Sequence, residues 1–290
     1  MIRMLVALAL LAFLPPVCHA GLVGDTTVYR VVKGDTIEGI GAKLGVKWSL
    51  IVEANRLDAK GSLRIGQTLR VNTKKIIPKV REKGILINIP DRMLYFFRNG
   101  QLAMAFPVGL GMPAAADTTD WRTPEGLFEV RNKQKNPKWF VPRSIQREMV
   151  REGKPVEKVV PPGPDNPLGR YIIRTSLSGI EIHETIWPSS VYQFRSHGCI
   201  RVLPDHMEKL FSEVDAATPG EIIYMPVKFA VSEKGRYYLE VHRDIYRKGV
   251  DLDGEARRLI ERAGAAYRVD WKKVEAGIRE KTGIPEDVTL

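Results

Sequence analysis

Between residues 84 and 225 the chain breaks again and again into short β-type runs, and no other feature narrows its fold as much. GILINI, RMLYFF, LAMAFPV, GLFEV, RYIIRT and GIEIH are separated by Gly, Pro and Asn-Gly turns. They are too short, and too rich in β-branched and aromatic residues, to be helices. Asn99-Gly100, between RMLYFF and QLAMAF, is a strong hairpin signal. Many short strands with few helices predict a mainly β domain over 84–226, sandwich or barrel-like. One helix stands out: Asp205 is placed to cap it, Glu208 completes a capping-box pattern, and Met207, Leu210, Phe211 and Val214 form one apolar stripe.

The flanks read differently. Residues 28–72 predict a small βααβ unit: a strand at Tyr29–Val32, a helix capped by Asp35 or Thr36, a second helix around Leu50–Asn55, and a closing strand at Leu69–Val71. Residues 73–83 are basic with one Pro, and read as a short linker or, alternatively, an extended edge strand. Residues 227–290 predict a hairpin around Lys234-Gly235 followed by two amphipathic helices. The first carries Ala256, Leu259, Ile260 and Ala263; the second is capped by Asp270 and carries Trp271, Val274 and Ile278.

Arg3, the apolar run Leu5–Leu14 and Cys18-His19-Ala20 before Gly21 form an export leader over residues 1–20, with an uncleaved anchor as the minor alternative. Ten apolar residues fall short of the roughly 20 that span a bilayer, so no stable membrane span is expected after cleavage. With 45 Lys+Arg against 34 Asp+Glu the formal charge is +11, which points to a polyanionic partner. Export removes nucleic acid from that class and leaves a carboxylate-rich polymer. It also leaves Cys199 as the sole thiol, with no partner for an internal disulfide, in a compartment where disulfides normally form. Such a cysteine is either inert or kept for its reactivity.

Its neighbours bear on the choice. In 179–202, GIEIHETIWPSSVYQFRSHGCIRV, an extended backbone projects His197 and Cys199 to one side, with Gly198 leaving room for a carbonyl and its neighbouring N–H groups placed for an oxyanion. Ile180 and Ile182 alternate with Glu181 and His183, which puts His183 on a polar strand face. A thiol needs an imidazole to take its proton and to hand one to a leaving amine, and two are near. A zinc site built from His183, His197 and Cys199 matches none of the usual ligand spacings, so neither a metal nor another cofactor is expected.

Two resemblances add to this reading. YRVVKGDT, LIVEANRL and LRIGQTLRV, spanning the whole first block, resemble a LysM module. That implies binding of N-acetylglucosamine-containing glycans such as peptidoglycan, with Gly34, Asp35, Thr36 and Asn55 in the two turns as candidate contacts. His183 with Ser196-His197-Gly198-Cys199-Ile200-Arg201 resembles the signature of the L,D-transpeptidase (YkuD-type) family. Gly109-Leu110-Gly111, Thr123-Pro124-Glu125-Gly126, Asn136-Pro137-Lys138-Trp139 and Gly163–Gly169 appear in the family's order. The resemblance implies Cys199 as nucleophile, His183 as general base and His197 as the second histidine shaping the oxyanion site. Ser196 and Gly198 complete the motif turn, Arg201 braces the loop or contacts a substrate carboxylate, and Trp139 lines the cleft.

By the same resemblance, Cys199 attacks the carbonyl of the diamino acid at stem-peptide position three and D-Ala leaves. The thioester then passes to an amine: a second stem peptide, a lysine of an outer-membrane lipoprotein, or a free D-amino acid. Two alternatives stay open. One is a carboxypeptidase or hydrolase that gives the thioester to water; the other is a silent wall-binding protein. The implied setting is the periplasm. Two departures stand out: Glu184 follows the base histidine where the family usually has Gly, and only twelve residues separate His183 from Ser196. A short lid is expected there, with Trp187 or Tyr192 walling the cleft.

Overall fold

The computed structural model describes residues 21–58, 62–113 and 120–290; the leader expected over residues 1–20 lies outside the described residues. The first block is a βααβ unit: β1 (Thr26–Arg30), α1 (Ile37–Leu44), α2 (Trp48–Ala54) and β2 (Thr68–Asn72), with β1 and β2 paired antiparallel, Tyr29 opposite Leu69. Of the two capping candidates Thr36 takes the role, its hydroxyl accepting from Gly39 N–H at 3.0 Å. Asp35 instead turns back to Val32 N–H, 2.8 Å, and to the Tyr29 hydroxyl, 2.9 Å. Its core is small: Val31, Ile40, Val46, Ile51, Leu69 and Val71.

The basic stretch after β2 contains a two-residue strand, β3 (Lys75–Ile76), paired with Leu22–Val23. Lys75 and Ile76 are 2% and 0% exposed, so this part of the expected linker is held inside the protein. A lysine is buried only with partners, and Lys75 Nζ donates to Gly283 O at 3.0 Å. Beside it Lys228 Nζ donates to Ile76 O at 2.8 Å and meets Asp91 at 2.7 Å and Glu240 at 2.9 Å. Ile76 N–H donates to Glu240 Oε2 at 2.6 Å. One buried ionic network thus joins the linker strand, the β body and the C-terminal part.

The body contains β4 (Gly84–Asn88), β5 (Met93–Arg98), β6 (Gln101–Gly111), β7 (Gly126–Lys135), β8 (Trp139–Phe140), α3 (Arg143–Arg151), β9 (Val159–Val160), β10 (Tyr171–Thr175), β11 (Glu181–Glu184), β12 (Phe194–Ser196), β13 (Ile200–Val202), α4 (Pro204–Glu213) and β14 (Pro219–Ile223). Its sheet runs β12-β6-β13-β11-β10-β7-β14-β4-β5, and a further β5–β6 pairing closes eight of these strands into a barrel-like ring. Asn99 and Gly100, with φ of 50° and 70°, make the expected tight turn between β5 and β6.

Every residue of β4 is buried, and the two cores explain why. Ile85 and Ile87 join the barrel core with Leu94, Phe96, Val108, Ile182 and Ile200. Leu86 faces the other way, into a cluster with Ala42, Ile77, Tyr95 and Phe97. A strand covered on both faces has no solvent side to show, hence the apolar run Ile85–Ile87, and its one polar side chain, Asn88, bonds the Met225 backbone.

The capping box expected on α4 is not made. Leu203 holds the cap position without a side-chain bond, and Pro204 opens the helix. A proline's fixed φ and missing N–H suit a first helical turn, which leaves Asp205 one residue inside, near the positive helix end. The stripe Met207, Leu210, Phe211 and Val214 packs on the barrel core as its spacing predicts.

The C-terminal part forms the hairpin β15 (Val227–Val231) and β16 (Tyr237–Val241), then α5 (Leu252–Arg262) and α6 (Trp271–Glu280). Asp251 and Asp270 cap the helices, accepting from Gly254 and Lys272 N–H at 3.0 and 2.9 Å. The stripe residues Ala256, Ile260 and Val274 pack on Leu239 and Val241 of the hairpin.

Candidate active site

Strands β11 and β13 lie side by side and parallel, Ile182 opposite Ile200 and His183 opposite Arg201. Ile182 and Ile200 belong to the barrel core, so alternation sends Glu181, His183, Cys199 and Arg201 to the opposite face. All four line one cavity of about 710 Å³, together with Ser196, His197, Trp139 and Trp187. The sequence-predicted catalytic set therefore converges on a single concavity.

The backbone that achieves this is not the extended one expected. Gly198 has a φ of 106°, which turns the chain between His197 and Cys199. A Cβ there would sit 3.2 Å from Ile180 Cδ1, on strained backbone. Glycine is required by the turn, not by a carbonyl approaching from the cleft. Gly198 N–H donates to Ser196 Oγ at 3.2 Å, and Ser196 Oγ donates to Cys199 O at 2.5 Å. That N–H is therefore engaged and is not available to an oxyanion; Ser196 acts as the staple of the turn.

His183 is 5% exposed. Its Nδ1 lies 2.6 Å from Glu184 O, and a carbonyl only accepts, so Nδ1 carries the proton and Nε2 is the free lone pair. Burial, offset in part by that hydrogen bond, pushes its pKa down to about 4, so the imidazole is neutral at pH 7. Burial likewise pushes the half-buried Cys199 thiol up to about 11, and the thiol contacts Gly179 O at 3.5 Å. The resting pair is a neutral thiol and a neutral imidazole. Arg201 stacks over the Trp187 ring at 5.5 Å and pairs with no carboxylate among the described residues. Glu181 is held by Arg174 at 3.2 Å.

Across the cavity stand parts that the sequence reading did not assign. Helix α3 has no buried residue, so its pattern lacks a core stripe; yet Ile145, Glu148, Met149 and Glu152 all face the cavity. Spacing of i, i+3, i+4 and i+7 was the available signal. Glu148 meets His197 Nε2 at 2.8 Å, and the Trp121 ring meets the same imidazole edge-on at 4.3 Å. The paired strands β8 and β9 bring Trp139 opposite Val160 and both to the cavity wall. The lid is thus built from residues 139–160, not from the short His183–Ser196 segment. Of the two aromatics expected to wall the cleft, Trp187 does; Tyr192 does not. Tyr192 is 4% exposed, packs among Leu86, Met93 and Tyr95, and stacks under Arg92 at 4.0 Å.

Residues 82–222 match the L,D-transpeptidase catalytic domain (YkuD), and residues 29–72 match the LysM domain. The chain carries a YkuD-type L,D-transpeptidase catalytic domain behind a LysM domain. Among its relatives, the probable L,D-transpeptidase ErfK/SrfK of Salmonella typhimurium is 29% identical over 277 residues, 92% of this chain and 88% of that protein. The probable L,D-transpeptidase YcfS of Escherichia coli is 29% identical over 285 residues, 95% and 87% respectively. The putative L,D-transpeptidase YkuD of Bacillus subtilis, at 24%, spans 66% of this chain and 94% of its own. The protein is an enzyme of the L,D-transpeptidase class, and the pairing of its two domains supports binding to peptidoglycan.

Within this L,D-transpeptidase domain, Glu184 is buried and accepts from Arg170 Nε at 3.2 Å, on the strand face opposite His183. Its side chain is away from the cavity, and its carbonyl is the group that fixes the His183 tautomer. In the LysM domain Asn55 binds backbone on all sides: Nδ2 donates to Ile51 O and Arg70 O, both at 2.8 Å, and Oδ1 accepts from Arg70 N–H at 2.7 Å. Gly34 stands open at φ 92°. A pocket of about 230 Å³ lies beside these residues, lined by Ile37, Arg56, Leu57 and Gln67 among others and by none of Gly34, Asp35, Thr36 and Asn55.

One cluster among the described residues has metal-ligand character: Asp91, Glu240 and His242. The Lys228 ammonium already lies 2.7 and 2.9 Å from its two carboxylates, where a cation would sit. No helix among the described residues is long and apolar enough to cross a membrane.

Proposed function

We propose that the protein is a peptidoglycan L,D-transpeptidase that works through a Cys199 thioester. The observation that carries this is the convergence of Cys199, His183 and Arg201 from adjacent strands in one cavity. As the diamino acid carbonyl of a stem tetrapeptide approaches, the Cys199 S–H proton passes to His183 Nε2 and sulfur attacks the carbonyl carbon. The tetrahedral adduct collapses, His183 returns the proton to the departing amine, and D-Ala leaves. An acceptor amine then attacks the thioester carbonyl and gives its proton to His183, which passes it to the departing sulfur, so that the amide forms and the thiol and neutral imidazole are restored. With both partners neutral at rest, proton transfer accompanies the attack on the carbonyl and does not precede it.

Arg201, which stacks on Trp187 and pairs with no carboxylate among the described residues, is assigned to a substrate carboxylate. Trp139 lines the acyl-donor cleft, and His197, fixed by Glu148, shapes its oxyanion side. The LysM domain, through Gly34, Asp35, Thr36 and the turn at Asn55, keeps the enzyme on the glycan and raises the local concentration of stem peptides. The acceptors in reach of the chemistry are a second stem peptide or a lipoprotein lysine, and the setting is the periplasm.

The test is incubation of residues 21–290 with disaccharide-tetrapeptide, alongside Cys199→Ala, with products identified by mass spectrometry. A cross-linked dimer lacking D-Ala, formed only when Cys199 is present, supports the reading. Tripeptide alone moves the activity to water as acceptor, and no Cys199-dependent product overturns it.

A further inference from the structure

Tyr246 lies in the C-terminal part, beyond the matched catalytic domain, which ends at residue 222. Yet it is 5% exposed and packs in the barrel core, not in the C-terminal one. Its hydroxyl donates to Gly111 O at 2.7 Å and accepts from Thr123 N–H at 3.1 Å. The Thr123 hydroxyl accepts from Gly111 N–H at 2.9 Å and donates to Gly198 O at 2.9 Å. Tyr246, Gly111 and Thr123 are thereby joined in a closed, buried ring of three bonds, and the fourth carries the Thr123 hydroxyl out of the ring to the Gly198 carbonyl. Gly111 has no room for a side chain, since the backbone of Trp121 to Thr123 packs directly on its α-carbon. The strut so held delivers the Trp121 ring to His197 and the Thr123 hydroxyl to the turn carrying Cys199.

Tyr246 is itself held from behind. Its N–H donates to the Tyr224 hydroxyl at 2.9 Å, and that hydroxyl donates to Asp244 at 2.6 Å. Asp244 also accepts from the N–H groups of Lys248, Gly249 and Val250. Nothing in this chain of contacts touches the cavity, and a barrel core does not need a phenol where a phenyl would pack. A hydroxyl that bridges two backbone segments, one of them leading to the nucleophile's turn, serves orientation.

We propose that Tyr246, acting through Thr123, is a positioning residue for the Ser196–Cys199 turn, so that the catalytic unit extends past the L,D-transpeptidase domain into the C-terminal part. This rests on the reading of Cys199 as nucleophile. Removing the Thr123 hydroxyl leaves Gly198 O without its donor; removing the Tyr246 hydroxyl leaves Gly111 O and Thr123 N–H without their partner and frees the strut that aims Thr123. Either change lets the turn drift and misaligns sulfur against His183.

The experiment compares wild type, Tyr246→Phe, Thr123→Val, Thr123→Ser and Cys199→Ala in the full exported chain. Each is measured for kcat and KM on disaccharide-tetrapeptide and for the rate of Cys199 alkylation by iodoacetamide from pH 6 to 10. Tyr246→Phe and Thr123→Val are expected to lower kcat roughly tenfold with KM unchanged, the size of one buried hydrogen bond, and to change the pH profile of alkylation. Thr123→Ser, which keeps the hydroxyl, is expected to stay within about twofold of wild type, and the two damaging changes combined should cost little more than either alone. An alkylation profile and kcat unchanged in both Tyr246→Phe and Thr123→Val would overturn the proposal. So would equal losses in Thr123→Ser and Thr123→Val, which would mean packing and not the hydroxyl. If Cys199→Ala keeps transpeptidation, the nucleophile assignment fails instead; alkylation still reports whether the turn is held.

Discussion

Glu148 reaches down from helix α3 to His197, its carboxylate 2.8 Å from Nε2. This is a tie between the lid and the wall of the site, made by a helix that buries none of its own residues. Both side chains are about a quarter exposed, at 24% and 23%, so the tie is worth on the order of 1 kcal/mol.

Cutting that tie should loosen the lid without unfolding the protein. Glu148→Ala is expected to lower kcat/KM about 3- to 10-fold and to raise amide exchange across 143–151, with global stability within about 0.5 kcal/mol of wild type. Exchange unchanged over that helix would show that α3 is held by something else.

The free enzyme's thiol should behave as an unassisted one. With Cys199 pushed up to about 11 by burial, alkylation of the substrate-free enzyme is expected to climb about tenfold per pH unit from 7 to 10 without levelling off. Intact-mass analysis of timed samples reads this directly. A plateau near neutrality would instead mean a preformed thiolate–imidazolium pair.

His183 should make the protein acid-sensitive. Its folded pKa of about 4 lies below the unfolded 6.5, so between those values the unfolded chain binds a proton that the folded one refuses. Stability is full above pH 6.5 and is lost as the pH falls toward 4, by about 3 kcal/mol for this group. His183→Gln is expected to abolish activity yet flatten the fall of Tm between pH 6.5 and 4. Parallel Tm curves for the two proteins would refute the assignment.

Lys228 should matter for architecture, not for chemistry. Lys228→Met leaves Asp91 and Glu240 buried without their shared cation and Ile76 O without its donor. A loss of about 3–5 kcal/mol in urea unfolding is expected, together with release of the strand Lys75–Ile76 to proteolysis. A neutral effect would mean that His242 and Lys75 take over the compensation.

Ala in place of Gly198 should act on the active site more than on the fold. The positive φ and the 3.2 Å approach to Ile180 together set a strain of about 1–3 kcal/mol, expressed at the Cys199 turn. Activity should fall 10- to 100-fold while Tm drops by only a few degrees. Wild-type turnover in Gly198→Ala would mean that the turn is not needed.

Much of this was legible in the chain. The β runs of 84–225, the Asn99-Gly100 turn and the stripe Met207–Val214 act through local rules, alternation and helical spacing, and the folded protein keeps them. The His183…Ser196–Arg201 set was legible because all of it falls in one short stretch of chain, on three short strands and the turn at His197–Cys199. The capping box on α4 failed because Pro204 is a better first helical residue than Asp205 is a cap. Tyr192 failed because an aromatic near the motif was given to the cleft, when the back of the sheet had a cluster to complete.

Residue type and near spacing alone were enough to mark most of the strands and to put a thiol and two imidazoles close together along the chain. Only the tertiary structure decided what faces the cavity. α3 closes over it, Glu148 finds His197, Tyr246 bonds Thr123 across 123 residues, and Thr123 reaches the Gly198 turn across 75. Such contacts join side chains whose distance along the chain carries no information about their distance in space, and the closed barrel and its buried ionic network are what bring them together.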